Sequence, residues 1–454
     1  MVQRTIDNSP MLTEGVDTFR GKRVLLLQGP VGPFFARLAR DLRALDCAVF
    51  KVNFHAGDTF FYPRGAVNFK GPLQDWPLFL ERLIDRWQID VVLLYGDCRP
   101  VHAMAHAVAQ SRGVEVGVFE EGYLRPHHIT LERHGVNGHS QVPRHPAHYL
   151  QMPDLPDVPV RELGNTYWLM VWWGFWYFTI GGLASLLRPA HVHHRKLTVL
   201  EALPWLRSAW RKQRYRWTER RALPELTGRW SGRYFLVPLQ VHNDMQIQVH
   251  SPFKRVESFI EAVMRSFARS APADTALVIK HHPMDRGYLS YAGLIARLSR
   301  ELGLQGRCFY LHDQHLPTLL DHARGAVVVN STVGLQALRH GVPLKAMGEA
   351  IYDIQGLTFR GGLDAFWERA GENRPDPRLL RQFVRYLKHS NQINGSFYRR
   401  LPGTGWASGL DWPSAVPVPD IGVSQPVPLA SPLAPVGVAT GDQGESGLSL
   451  PRVA

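Results

Sequence analysis

Residues 234–253 read YFLVPLQVHNDMQIQVHSPF, an apolar run that gives way after Leu239 to Gln240, His242, Asn243, Asp244 and Gln246. A carboxylate placed four residues beyond an amide, at the end of a strand-like run, can attack an electrophilic carbon or activate a hydroxyl as a base. Three further stretches deliver groups of complementary type. ALVIKHHP ends in Lys280, His281, His282 and Pro283; AVVVNSTVGLQAL carries Asn330, Ser331 and Thr332 into a helical pattern; VFEEGYLRP brings Glu120 and Glu121. Lysine, imidazole and the free amides and hydroxyls of a helix start are groups that hold a phosphate without a metal. Ser331 taken alone is equally an N-cap. Gly29 and Gly32, in QGPVGPFF, would let a ligand approach the backbone, or serve turn chemistry only. The adjacent Glu120 and Glu121 point in different directions, so at most one faces a cleft. Lys280, His282, Ser331 and Asp244, at three separate strand ends, describe a cationic, amide-rich pocket with one carboxylate, which suits a nucleotide-activated sugar. Two glycosyl-transfer logics stay open for Asp244: a covalent intermediate, or base activation of an acceptor hydroxyl.

Such groups need elements that bring them together. Continuous apolar runs at 24–30, 47–54, 90–97 and 115–122 alternate with helix-length segments, and the alternation returns from residue 230. Strands without a polar face belong to parallel sheets covered on both sides. The α/β fold class follows, with two Rossmann-like, doubly wound units facing a cleft, where ligands lie beyond the C-terminal strand ends. The boundaries expected are a flexible N-terminus over 1–21, a first unit over 22–160, a helical middle segment over 161–228, and a second unit over 229–400. From about 410 to 454 the composition turns to Pro, Val, Ser and Gly without periodicity, as in a disordered tail.

The middle segment differs from both units. Asn165 to Leu187 runs for 23 residues without a charge, long enough to span a bilayer. A single span would put the two units on opposite sides of the membrane, and its many Trp and Tyr residues favour the interface over the hydrocarbon. A helix buried between the units, or dipping into the membrane surface, is the reading adopted. Between Arg188 and Arg221 stand ten Lys or Arg against Glu201 and Glu219, more than half of the chain's net +13. Trp205, Leu206, Ala209, Trp210 and Trp217 interleave with those cations. Anionic lipid, RNA and plain solvent are the environments such a helix suits. Cys47, Cys98 and Cys308 lie far apart with no Cys/His ligand spacing, so a reduced, metal-independent protein is expected. The first residues carry no signal-peptide core.

The turn GPVGPFF, the FEEGYLRP segment, Gln240-x-x-x-Asp244 followed by HSPF, the His282-Pro283 pair and NSTVGLQAL together resemble the single-module capsular polysaccharide synthesis and export proteins of Gram-negative bacteria, over about residues 22–400. The resemblance implies a GT-B-like glycosyltransferase with no cofactor, which takes a β-linked Kdo from CMP-Kdo to a phosphatidylglycerol-type lipid. Asp244 would be the catalytic carboxylate, the nucleophile of a retaining reaction, and Gln240 would orient it. His282, Ser331 and Thr332 would contact the CMP phosphate, and Glu121 would be an acid or base on the facing unit. A single module implies transfer of the first Kdo. The same resemblance implies a cytoplasmic protein held peripherally on the inner membrane, with other capsule proteins as partners and no nucleic acid. The competing reading is a non-catalytic export component that binds the lipid-linked polymer.

Overall fold

The computed structural model describes residues 10–12, 14–187 and 202–413. Two sheets organise them. In the first, β1 (Arg23–Leu26), β2 (Ala48–Asn53), β3 (Val67–Asn68), β4 (Val91–Tyr95) and β5 (Glu115–Glu121) run parallel, in the spatial order β3-β2-β1-β4-β5. Strand β6 (His128–Arg133) is antiparallel to β5. In the second sheet β7 (Tyr234–Pro238), β8 (Ala276–Lys280), β9 (Cys308–Leu311), β10 (Ala323–Val328) and β11 (Leu344–Ala346) are all parallel, in the order β11-β10-β7-β8-β9. Each sheet therefore reverses its strand order once, between β1 and β4 in the first and between β7 and β10 in the second. The crevices at those reversals are where open α/β sheets bind ligands.

The strands read as uniformly apolar because each feeds two cores. Val24, Leu26, Val91 and Leu93 join one cluster while Leu25, Leu27, Val92 and Leu94 join another on the opposite face. Tyr234, Leu236 and Val278 are likewise separated from Phe235, Val237 and Leu277. The cluster holding Tyr234 also takes in Tyr123, Leu124, Val142 and Tyr149, which belong to the first unit and the chain after it. The two units share a core at that point.

The second unit does not run to residue 400 as expected. The helix Pro377–Ser390 packs Leu379, Phe383 and Leu387 into the shared core and then delivers β12 (Gln392–Asn394), which pairs antiparallel with β6 in the first sheet. Gln392 accepts the backbone N–H groups of Tyr123 (2.9 Å) and Leu124 (3.2 Å) and donates to Thr130 Oγ1 (2.9 Å). Phe397 beyond it is buried against Phe34, Tyr95 and Phe119. Two other boundaries shift for the same reason, the burial of apolar side chains. Met11, Leu12, Val16 and Phe19, expected in a flexible terminus, lie in the first unit's core, and so does Leu410 at the start of the expected tail. The expected tail beyond 413 and the cations at 188, 195 and 196 lie outside the described residues.

The two longest helices described in the middle segment pack on different units. Tyr167–Leu187 sets Trp173 and Tyr177 against the short helix Ala56–Phe61; Trp173 meets Phe61 edge-on at 5.8 Å. Its opposite side leaves Trp168, Trp172 and Phe175 exposed. Ala202–Thr218 turns Ser208, Arg211 and Tyr215 toward the second unit, where Tyr215 stacks on His312 with ring centroids 3.6 Å apart and Arg211 donates to the Arg286 carbonyl at 2.8 Å. Leu206, Trp210 and Trp217 face outward, each more than 60% exposed. Among the described residues, no helix is long and apolar enough to cross a membrane.

Because Phe397 anchors the returning strand in a ring of aromatics, Phe397→Ala is expected to cost about 3–5 kcal/mol. Urea unfolding checks this; a loss under about 1 kcal/mol would mean that the return is not held by this contact.

Candidate functional site

Residues 240–244 form the turn after β7, and Asp244 caps the helix Met245–Val249, accepting Gln246 N–H at 2.9 Å through Oδ1. Its other oxygen, Oδ2, accepts Gln240 Nε2 at 2.9 Å. The Gln-x-x-x-Asp spacing thus closes a direct hydrogen bond. Gln240 also donates to Asn330 Oδ1 at 3.0 Å, and so joins the end of β7 to the end of β10 across the reversal point of the second sheet. Asn330 Nδ2 in turn donates to the Gln246 carbonyl at 3.0 Å and more weakly to that of His250. The loop carrying Asp244 is therefore held by Asn330 from behind and by Gln240 from the side. Neither side chain can move without breaking two polar contacts in a half-buried site, where each unmade bond costs about 1–3 kcal/mol.

His282 follows β8. Its Nδ1 accepts Met284 N–H at 3.2 Å, which places the proton of the neutral ring on Nε2. Burial, with Arg125 and Lys280 nearby, lowers its pKa to about 4. It is a neutral donor at pH 7. Lys280 stands at the same strand end, but its buried ammonium donates to the His312 carbonyl at 3.2 Å. Ser331 Oγ accepts Val333 N–H at 3.2 Å, the capping role. Thr332, at the N-cap itself, makes no side-chain capping bond. A Cβ on Gly29 would meet the Phe35 ring at 2.9 Å, and one on Gly32 (φ +105°) would meet Trp173 at 3.0 Å. The close approaches at these two glycines are taken up by aromatic side chains of the protein.

The first unit presents its own reversal point to this loop. Arg99, after β4, donates to Gln28 Oε1 after β1 at 2.8 Å. Glu121 Oε1 accepts the Tyr398 hydroxyl at 3.0 Å. Glu120, its neighbour on β5, accepts the Glu121 N–H at 2.9 Å and is the one of the pair whose charge reaches Asp97 and Cys98. Burial, and next the Glu121 carboxylate, push Glu120 up to about 7.

Between the units lies a cluster that no local spacing announced. Cys98 Sγ is 3.7 Å from His250 Nε2 and 3.8 Å from Gln246 Nε2. His139 packs edge-on against His250 with ring centroids 4.3 Å apart, and its Nδ1 lies 3.0 Å from Asp97 Oδ2. Gly138 permits this crossing, since a Cβ there would meet His250 Nδ1 at 2.0 Å. Asn330 was visible in the sequence as a strand-end residue; its bracing role follows only from the pairing of β7 with β10.

Two facing Rossmann-like units, with a fixed carboxylate in the crevice of one, define a GT-B-like α/β protein. The chain belongs to the capsule polysaccharide biosynthesis protein family, whose profile matches residues 90–398. It is 42% identical over 381 residues to the capsule polysaccharide export protein KpsS of Escherichia coli, covering 83% of this chain and 97% of the relative. It is 38% identical over 393 residues to the capsule polysaccharide modification protein LipB of Neisseria meningitidis serogroup A, covering 84% and 92%. Among solved structures, a KpsC beta Kdo 2,4 transferase from Thermosulfurimonas dismutans aligns over 85% of this chain and 95% of its own, at 14% identity and a TM-score of 0.36.

Glu120 binds its proton more tightly in the folded chain than at its ordinary 4.5. Fold stability from this group is therefore lost as pH rises from about 4.5 through about 7, and stays lost above it. Glu120→Gln removes the penalty. Relative to the parent, the variant's melting temperature is expected to be higher at pH 8 than at pH 5, and thermal melts at the two pH values check it; a pH-independent difference would contradict the assignment.

Proposed function

We propose that the chain is a glycosyltransferase that moves Kdo from CMP-Kdo to an anionic, phosphatidylglycerol-type lipid and so begins the lipid-linked anchor of a capsular polysaccharide. The observation that carries this reading is Asp244, its oxygens tied by Gln240 and by the Gln246 N–H, at the reversal point of the second sheet and opposite the first unit's own reversal. A carboxylate aligned in this way keeps lone pairs for a sugar carbon or an acceptor hydroxyl, and alignment is worth several kcal/mol of a barrier. His282 would donate Nε2–H to the departing CMP phosphate. Thr332, whose hydroxyl is not spent on capping, would bind the same group. Glu120, with a pKa of about 7, has the proton affinity of an acid–base catalyst at neutral pH.

The acceptor would be reached from the membrane surface. Trp168, Trp172, Leu206, Trp210 and Trp217 are exposed on two helices, the second of which also carries the exposed Lys212, Arg214 and Arg216. Aromatic side chains interleaved with cations bind the headgroup region of anionic bilayers. The same surface, together with the export role in the name of the E. coli relative, favours a second reading: a non-catalytic component that binds the lipid-linked polymer.

Purified protein incubated with CMP-Kdo and lysophosphatidylglycerol is expected to yield a product heavier by one Kdo; a folded protein that gives none overturns the enzymatic reading. Asp244→Asn should keep the melting temperature within a few degrees and lower turnover by at least about a thousandfold, since the reacting group itself is lost. Retained turnover removes Asp244 from the mechanism. CMP affinity that falls at least tenfold in His282→Ala counts against the non-catalytic reading.

For the surface, Trp210→Ser combined with Trp217→Ser should weaken binding to phosphatidylglycerol vesicles at least tenfold while leaving the melting temperature unchanged. Sedimentation with vesicles measures this. Equal binding by parent and variant would place the membrane contact elsewhere, and tighter binding to RNA than to vesicles would replace it.

A further inference from the structure

Cys98, His139 and His250 come from three separate stretches, and their ligand atoms all lie within 4.8 Å of one another. We propose that they form a transition-metal site, of a kind suited to zinc, that joins the Asp244 loop of the second unit to the loops that follow β4 and β6 in the first. The donor set of one thiolate and two imidazoles is that of a borderline-soft divalent ion. Tetrahedral ligands at about 2.3 Å for sulfur and about 2.0 Å for nitrogen stand about 3.5 Å apart, and Cys98 Sγ to His250 Nε2 is 3.7 Å.

The outer partners are those that a metal-bound histidine requires. Asp97 Oδ2 takes His139 Nδ1 at 3.0 Å, and Glu349 Oε2 lies 3.3 Å from His250 Nδ1, so the Nε2 of each ring is left for the metal. Asp97 is itself oriented, accepting Val136 N–H at 3.1 Å on the oxygen that holds His139. The Cys98 thiol donates to Asp97 Oδ1 at 3.2 Å; on binding, the metal takes the place of that proton, which leaves to solvent. Cys98, His139 and His250 supply three ligands, and a fourth position stays open to water or to an oxygen of a bound molecule. Asp244 and Glu120 are the other carboxylates whose charge reaches Cys98, and both add to the attraction for a cation.

A metal here would fix position as well as charge. His250 closes the helix that Asp244 opens, so a bond to His250 adds a side-chain hold at the far end of the loop, which Gln240 fixes at its near end and Asn330 reaches through the Gln246 and His250 carbonyls. Cys98 and His139 belong to the first unit. The site therefore clamps the two units together at the cleft, whatever donor sugar the cleft accepts.

The test uses the full chain, treated with chelator, kept reduced and titrated with Co²⁺. A thiolate-to-cobalt charge-transfer band should grow to saturation at one equivalent and vanish when Zn²⁺ is added. Cys98→Ser should abolish the band and Cys308→Ser should keep it. Asp97→Asn and His139→Asn should each weaken Co²⁺ binding at least tenfold, a readout that stands if Cys98→Ser does not fold. No charge-transfer band in folded parent protein overturns the proposal, as does a band of full intensity in Cys98→Ser. Because the readout is the metal itself, it is separable from Kdo transfer: a chain without transferase activity that still binds one cobalt through Cys98 leaves the site standing.

Discussion

The hydrogen bond from Gln240 to Asn330 links the two strands between which the second sheet reverses direction, and the candidate site is organised around that link. A doubly wound sheet opens a crevice at its reversal because the loops on either side leave in opposite directions. An open crevice would leave the Asp244 loop mobile. One amide on each side closes it: Gln240 reaches Asp244 and Asn330 together, and Asn330 reaches carbonyls in the first turn and at the C-terminal cap of the short helix that Asp244 caps. The carboxylate is positioned by groups on strand ends, which are rigid because both faces of their strands are buried. This is the arrangement that preorganisation demands, with the reacting group on a loop and its supports on the sheet.

The first unit repeats the device with different chemistry. Arg99 and Gln28 bridge the reversal between β1 and β4, Gln28 leans on Asp58 at 3.5 Å, and Asp58 accepts the Tyr177 hydroxyl at 3.2 Å. A polar chain thus runs from the cleft to the aromatic helix of the middle segment. Its partner helix, 202–218, is fixed to the second unit through Arg211, Tyr215 and Glu219, whose carboxylate binds His312. The two helices with exposed indoles are consequently fastened to opposite walls of the cleft. A surface built on both would shear if the units moved relative to each other, so the shared core around Tyr123 and Phe383 constrains the cleft and the helical surface at once.

What could be read in the residues follows from the range of the signal. The sheet strands stand out because burial on both faces makes them uniformly apolar, a property of each strand alone. Gln240 and Asp244 were legible as a pair because their hydrogen bond spans four positions of chain. Strand β12 is three residues long and polar, QIN, and only its antiparallel pairing with β6 makes it a strand; no local pattern marks it. Residues 10–21 bury four apolar side chains without helical or strand periodicity, so composition alone left them as a tail. Cys98, His139 and His250 fall far outside any metal-ligand spacing, and their meeting requires the two units to face each other. Glu120 and Glu121 show the limit within a single strand. Alternation told them apart but not which one faces the cleft, because that depends on the side from which the second unit approaches.

Charge in the cleft is likewise a property of the assembled pair of units and not of the composition. The net +13 suggests abundant cations for a phosphate, yet the second unit's own candidates are restrained by burial. His282 is held neutral, and Lys280 is also depressed and bound to a carbonyl. Burial is the larger cause for His282, and after it comes Arg125, which stands on the first unit in the FEEGYLRP segment. Its place there is maintained from β12, since Gln392 holds the backbone of Tyr123 and Leu124 immediately before it. A phosphate arriving at His282 would meet a neutral N–H donor from one unit and a permanent guanidinium from the other. The second unit alone would then bind such a group weakly, and the strand that returns from residue 392 to the first sheet would bring the missing charge within reach.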